Sequence, residues 1–217
     1  MRTLSCTISI ITVLASTPVG ANDKAPSYES GGLAKVGLVA AGKAGVGLGV
    51  GALGHAPVGE LELGYLLPFL DRSLQFFVAG QYANPATEGQ GAAVDARLPQ
   101  DGVLTYRLSQ RQLMLTSGLL YRIPVPSDFI RPYVALGGRV YLVESTIDGT
   151  AGGVPFPESR ETATSGGFYG ALGAEVYLGP GGAFFEVQST YAPQDGFILR
   201  DTHASGVYLA LGYRLFI

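Results

Sequence analysis

From Gly206 to Ile217 the apolar side chains fall on every second residue, with Val207, Leu209, Leu211, Tyr213, Leu215 and Ile217 in one row and Tyr208, Ala210, Gly212 and Arg214 in the other. Successive side chains of an extended strand point to opposite faces, so a period of two describes a ribbon with one greasy side. The same period recurs through the chain and constrains the fold more than any other feature. Eight runs carry it, near 38–53, 58–67, 73–83, 104–123, 130–147, 166–178, 183–192 and 204–217. Most are long enough for the ~9–11 residues of a tilted strand crossing a bilayer. After residue 21, no stretch supplies the ~20 consecutive apolar residues of a membrane helix. The expected class is therefore all-β, an eight-stranded antiparallel barrel.

The connections support this. Those at 68–72, 124–128 and 179–182 are short and rich in turn formers, whereas 84–103, 148–165 and 193–203 are long, polar or glycine-rich, and alternate with the short ones. Only the first connection, near 54–57, is short where a long one is due. Tight turns at one end and long loops at the other are the layout of transmembrane barrels, and an even strand count returns both termini to the turn side.

Composition explains why such a ribbon would not be stable in water. Only 14% of the residues are charged, while 32 are glycine, 12 tyrosine and 10 phenylalanine; a soluble domain carries about 25% charge. The first 21 residues read as an export signal, with Arg2, an apolar stretch from Ile8 to Ala15, and small residues at Val19-Gly20-Ala21 before the cut. Residues 22–32 form a polar leader, and 33–217 the barrel. Cys6 lies in the signal, so the exported chain is expected to have no disulfide. Losing Arg2 makes the formal charge one unit more negative than −3, and no basic stripe invites nucleic acid.

Sorting each run by parity assigns its residues to faces. The aliphatic row is expected to meet lipid, with Tyr65, Tyr121, Phe185 and Tyr213 toward the turn ends and Tyr82, Phe168 and Tyr191 toward the loop ends, as two interfacial girdles. The opposite row is expected to fill the lumen with Lys43, Glu62, Arg122, Arg131, Arg139, Glu175, Glu186 and Arg214, together with Gln112, Gln188, Tyr133, Tyr141, Tyr169 and Tyr177. The interior of eight strands is filled by side chains, and an unpaired charge there costs several kcal/mol. An ion-pair network follows, with Arg139–Glu175 and Glu186–Arg214 as first candidates, structural in role rather than a gate. The row Gly45, Gly47, Gly49 and Gly51 is a packing feature facing inward; no helix follows it to receive a phosphate.

With its export signal, eight alternating runs, tight turns and final strand, the chain resembles the small outer-membrane β-barrel family that includes the outer membrane protein A transmembrane domain and outer membrane protein W. The resemblance implies residence in the outer membrane among lipid and lipopolysaccharide, insertion by the barrel-assembly machinery, no cofactor, a monomer, and a role in anchoring or in limited passage of small, including hydrophobic, solutes. Family members end on a lipid-facing aromatic residue read during assembly. Here Ile217 takes that place and Phe216 the other face, so either the signal is degenerate or the register slips by one. Two alternatives belong to other classes. His203-Ala204-Ser205 resembles the His-x-Ser pair of barrel lipid A deacylases, but no acidic residue follows Ser205 to complete a triad. His203 and His55 alone make a weak metal site. A periplasmic lipocalin-like binder would need a water-compatible outer face, which the sparse charges do not supply.

Overall fold

The computed structural model describes residues 37–48, 53–92, 103–127, 129–194, 202–203 and 206–217. The expected signal and the whole leader lie outside these residues, as do Gly49, Gly51, Ser205 and the side chain of His203.

Eight strands close into one antiparallel barrel: β1 (Leu38–Leu48), β2 (Ala56–Leu66), β3 (Leu74–Ala83), β5 (Val103–Arg122), β6 (Ile130–Ala151), β7 (Val154–Leu178), β8 (Gly181–Tyr191) and β11 (Gly206–Phe216). Each pairs with its neighbour in the chain. Closure comes from β1 against β11, where Lys43 faces Gly212, and from β3 against β5, where Gln81 faces Met114. Closure leaves no sheet edge within the bilayer, which lipid could not satisfy with hydrogen bonds.

The turn-side connections are tight. Gly179, at φ 63°, and Pro180 join β7 to β8. Between β2 and β3 the chain passes through Leu70, Asp71 and Arg72 at φ 56°, 50° and 57°, a left-handed turn that costs a side-chain-bearing residue about 1–2 kcal/mol each. Before β6, the Ser127 hydroxyl accepts the backbone N–H groups of Phe129 and Ile130 at 3.3 Å each.

The far side differs from the expected long loops. Residues 148–165 are mostly strand: β6 and β7 run on to a two-residue turn at Gly152 and Gly153, at φ 58° and 82°, the paired positive angles that a tight hairpin requires. In the connection 84–103, β4 (Ala86–Ala92) continues β3 past Pro85, pairing with β5 from Ala86 opposite Ser109 to Ala92 opposite Val103. A short pair, β9 (Pro193–Gln194) with β10 (Thr202–His203), lies in the third. The barrel thus carries a raised sheet of β4 and the upper parts of β5, β6 and β7. The upper part of β5 falls within the alternating run 104–123, but β4 and the upper parts of β6 and β7 are polar or glycine-rich for most of their length, so alternation gave no signal in them.

Parity sorts the walls as the sequence implies. On β2, Glu60 and Glu62 are buried while Leu61 and Leu63 are exposed; on β11, Tyr208 and Arg214 are buried while Leu211 is exposed. The outward row on β5 from Leu113 to Tyr121 and on β6 from Pro132 to Leu142 contains no charge. Arg111 and Glu144 are the first charged residues above it on these strands. The register does not slip at the end: Ile217 is exposed outward, and Phe216 turns inward, 5.9 Å from the Tyr177 ring and 5.3 Å from the Arg122 guanidinium.

Candidate functional site: a neutral ionic plug in the lumen

The charged side chains buried among the described residues are four cations, Lys43, Arg122, Arg139 and Arg214, and four carboxylates, Glu60, Glu62, Glu175 and Glu186. All eight stand on inward positions of barrel strands, and none is more than 6% exposed. Their formal charges cancel.

Lys43 is the hub. Its Nζ lies 2.8 Å from Glu60, 2.9 Å from Glu62 and 3.0 Å from Glu186. Two branches leave this knot. Toward the raised sheet, Glu60 meets Arg139 at 4.0 Å, and Arg139 donates through Nε to the Thr116 hydroxyl at 2.7 Å. Toward the turns, Glu62 meets Arg214 at 3.5 Å, Arg214 donates to Glu175 at 2.9 Å, and Glu175 meets Arg122 at 3.4 Å. The eight groups form one connected chain across the lumen.

Neutral partners bond several of these groups. Tyr133, Tyr169 and Gln188 donate to Glu186 at 2.9, 3.2 and 2.8 Å. Gln75 donates to Glu62 at 3.0 Å and accepts from Arg122 at 2.9 Å. Aromatic rings close the spaces between: Arg214 sits 4.4 Å from the Phe184 centroid and 5.1 Å from Tyr133, and Arg139 lies 4.6 Å from Tyr169. Such contacts matter most where the cation is desolvated. Nearer the raised sheet the filling is neutral, with Gln110 donating to Ser145 at 3.0 Å and Gln112 donating to Gln110.

Bulky side chains fit because glycines leave room. A Cβ on Gly173 would meet the Tyr133 ring at 2.3 Å, one on Gly212 the Phe184 ring at 2.5 Å, and one on Gly45 the Leu209 carbonyl oxygen at 2.0 Å. Each is an approach only glycine allows.

The structure places Lys43, Glu62, Arg122, Arg139, Glu175, Glu186 and Arg214 together inside, with Tyr133, Tyr141, Tyr169, Gln112 and Gln188. Arg131 and Tyr177 are half-buried at the turn end, the guanidinium 5.2 Å from the ring. The two expected pairs are not formed. Arg139 faces Gly167 on β7, whereas Glu175 faces Arg131, eight positions away along the strand, or about 26 Å at 3.3 Å per residue. Likewise Arg214 faces Gly182 on β8 while Glu186 faces Ala210. On these neighbouring strands the charges stand at different heights, so Arg139 and Arg214 reach across the lumen to Glu60 and Glu62 of β2, whereas Lys43 does pair with its strand neighbour, facing Glu60 directly in register. Parity also pointed to Glu60, Gln75 and Gln81; Glu60, two residues from Glu62 on the same face, was legible and missed.

Outside, Tyr65, Tyr82, Phe168, Phe185, Tyr191 and Tyr213 are exposed and Tyr121 half-buried, all on the outward row. Phe168 and Tyr191 oppose each other across β7 and β8, and the Tyr213 hydroxyl donates to the Leu178 carbonyl at 2.7 Å near the turn. Phe76, also outward, joins the turn-side group opposite Tyr65.

No curated protein matches the chain. Neisserial surface protein A shares 17% identity over 83% of this chain and 96% of its own, with a TM-score of 0.49. The N-terminal β-barrel domain of Pseudomonas aeruginosa OprF shares 15% over 83% and 98%, with a TM-score of 0.39. A major outer membrane protein of Thermus thermophilus shares 10% over 81% and 99%, with a TM-score of 0.46. The sequence pattern of the outer membrane protein beta-barrel domain matches residues 8–215. With a closed eight-stranded barrel, a charge-free outer band and an ionic interior behind it, the chain belongs to the outer membrane protein β-barrel domain family and resides in the outer membrane.

Proposed function

We propose that this protein is a non-enzymatic, closed barrel that anchors in the outer membrane and holds its raised sheet on the extracellular side. The carrying observation is the connected plug of four cations and four carboxylates, each almost fully buried. Each group is at most 6% exposed, and moving one alone would strand a partner without its counter-charge, a loss of about 3–5 kcal/mol. Passage of hydrophobic solutes through a side opening would need a break in the wall, and each barrel strand is paired on both sides along the band. The role as an anchor suits a hairpin whose two strands run from the membrane to the turn, with one register shift between Ile147 and Gly149.

Planar-bilayer recording of the refolded protein tests this. An electrically silent barrel is expected, and discrete, reproducible openings would replace the reading with one of transport.

A further inference from the structure

Just above the charge-free band, on the outward face, Arg111 of β5 and Arg160 of β7 flank Glu144 of β6. We propose that these two arginines, with Tyr82 beneath them, bind the phosphate of an outer-leaflet glycolipid of the lipid A type. The proposal rests on the reading that the apolar face meets lipid, and it names a specific lipid contact of that face.

Height is the first argument. Arg111 stands two residues above Leu113 on the same face, and Glu144 two above Leu142; Tyr82 is the Cα partner of Leu113. Leu113, Leu142 and Tyr82 are all exposed outward. Arg111 therefore sits one rung above the last apolar one, where acyl chains give way to headgroups, and Arg160, opposite Thr146, stands one rung higher with its guanidinium 3.8 Å from Glu144; a tyrosine at the level of Tyr82 is a usual interfacial anchor.

Availability is the second. The side chains of Arg111 and Arg160 are 69% and 65% exposed, and they approach Glu144 only to 4.0 and 3.8 Å, beyond hydrogen-bond reach. Arg160 also bonds Glu158 through Nε at 2.5 Å, leaving the rest of its fork open. Each guanidinium offers five donors in a plane that fits phosphate oxygens.

Charge is the third. A phosphomonoester carries close to two negative charges, enough to answer both arginines at once, whereas a zwitterionic phospholipid brings a single negative charge beside its own cation. Glu144 and Glu158 oppose an anion here. Higher up, Arg107 lies between Glu88 and Asp148 in register and adds no surplus. The arginines and not the local net charge must therefore carry the binding.

Calorimetric titration of the refolded full barrel in zwitterionic micelles tests the proposal, using lipid A, dephosphorylated lipid A, phosphatidylethanolamine and inorganic phosphate as probes. Lipid A is expected to bind, and R111Q/R160Q to weaken it about tenfold, combining two exposed charge contacts of a few-fold each. Removing the opposing carboxylate with E144Q should leave affinity unchanged or raise it, which keeps the test open should the double variant misfold. Heat-modifiable gel migration checks folding. The proposal is overturned if lipid A does not bind, if R111Q/R160Q binds it within twofold of wild type, if E144Q weakens it, or if dephosphorylated lipid A or phosphatidylethanolamine binds as well. Displacement of lipid A by millimolar inorganic phosphate would mean a general anion site and would also overturn it. Failure of the underlying lipid-facing reading would appear differently, as wild-type protein soluble without detergent.

Discussion

Replacing Lys43 by methionine removes the hub of the plug while keeping its length and apolar stem. Three carboxylates lose a cation at 2.8–3.0 Å, but unequally. Glu60 retains Arg139 at 4.0 Å and Glu62 retains Arg214 at 3.5 Å, whereas Glu186 is left with the hydroxyls of Tyr133 and Tyr169 and the Gln188 amide. The variant therefore encloses one uncompensated negative charge, centred on Glu186. Breaking a buried pair in this way costs about 3–5 kcal/mol, a large share of the ~5–15 kcal/mol by which folded proteins exceed their unfolded state. Urea titration of the refolded barrel in micelles, read by heat-modifiable migration and circular dichroism, gives the difference. K43M should lose at least 3 kcal/mol, and K43M/E186Q, neutral again, should recover more than half of that. A K43M barrel within 1 kcal/mol of wild type, or a double variant no better than the single one, would refute the claim that compensation of buried charge holds the lumen together.

Other outcomes follow from the same structure. Leu136, outward on β6 and 70% exposed, should tolerate alanine but lose about 2–4 kcal/mol as arginine near the bilayer midplane, measured by the same urea titration. Gly45→Ala places a Cβ 2.0 Å from the Leu209 carbonyl and should prevent refolding, whereas Gly138→Ala meets nothing within 4 Å and should refold like wild type; gel migration separates the two. Replacing residues 147–159 by Asn-Gly, which joins the facing residues Thr146 and Arg160, removes the top of the hairpin and should leave the urea midpoint of the barrel unchanged. Phe216→Ala forfeits a cation–π contact with Arg122 and a ring contact with Tyr177 and should cost about 1–3 kcal/mol, measured by the same titration.

Much of this was readable because the bilayer enforces a strict period of two. Where one wall faces lipid and the other a packed lumen, as from Val207 to Ile217, parity alone sorts Leu211 outward and Arg214 inward. That signal vanishes where both faces are wet. Thr162, Thr164 and Ser159 gave no hint that β7 continues to Val154, and Pro85 concealed that β4 prolongs β3. Pairing was the harder problem. Parity states that Arg139 and Glu175 point inward but not at what height, and height depends on register accumulated around the closed barrel. Lys43, on the first strand, consequently meets Glu186 on the eighth in chain order, a contact no local spacing contains.

The central claim is that the apolar row faces acyl chains and the charged row the lumen. The chain has no tryptophan, so a single Trp introduced in turn at positions 207 to 211 of the refolded barrel reports alone when bilayers contain brominated lipid. Quenching should be strong at 207, 209 and 211 and weak at 208 and 210. Uniform quenching, or the reverse alternation, would contradict the account.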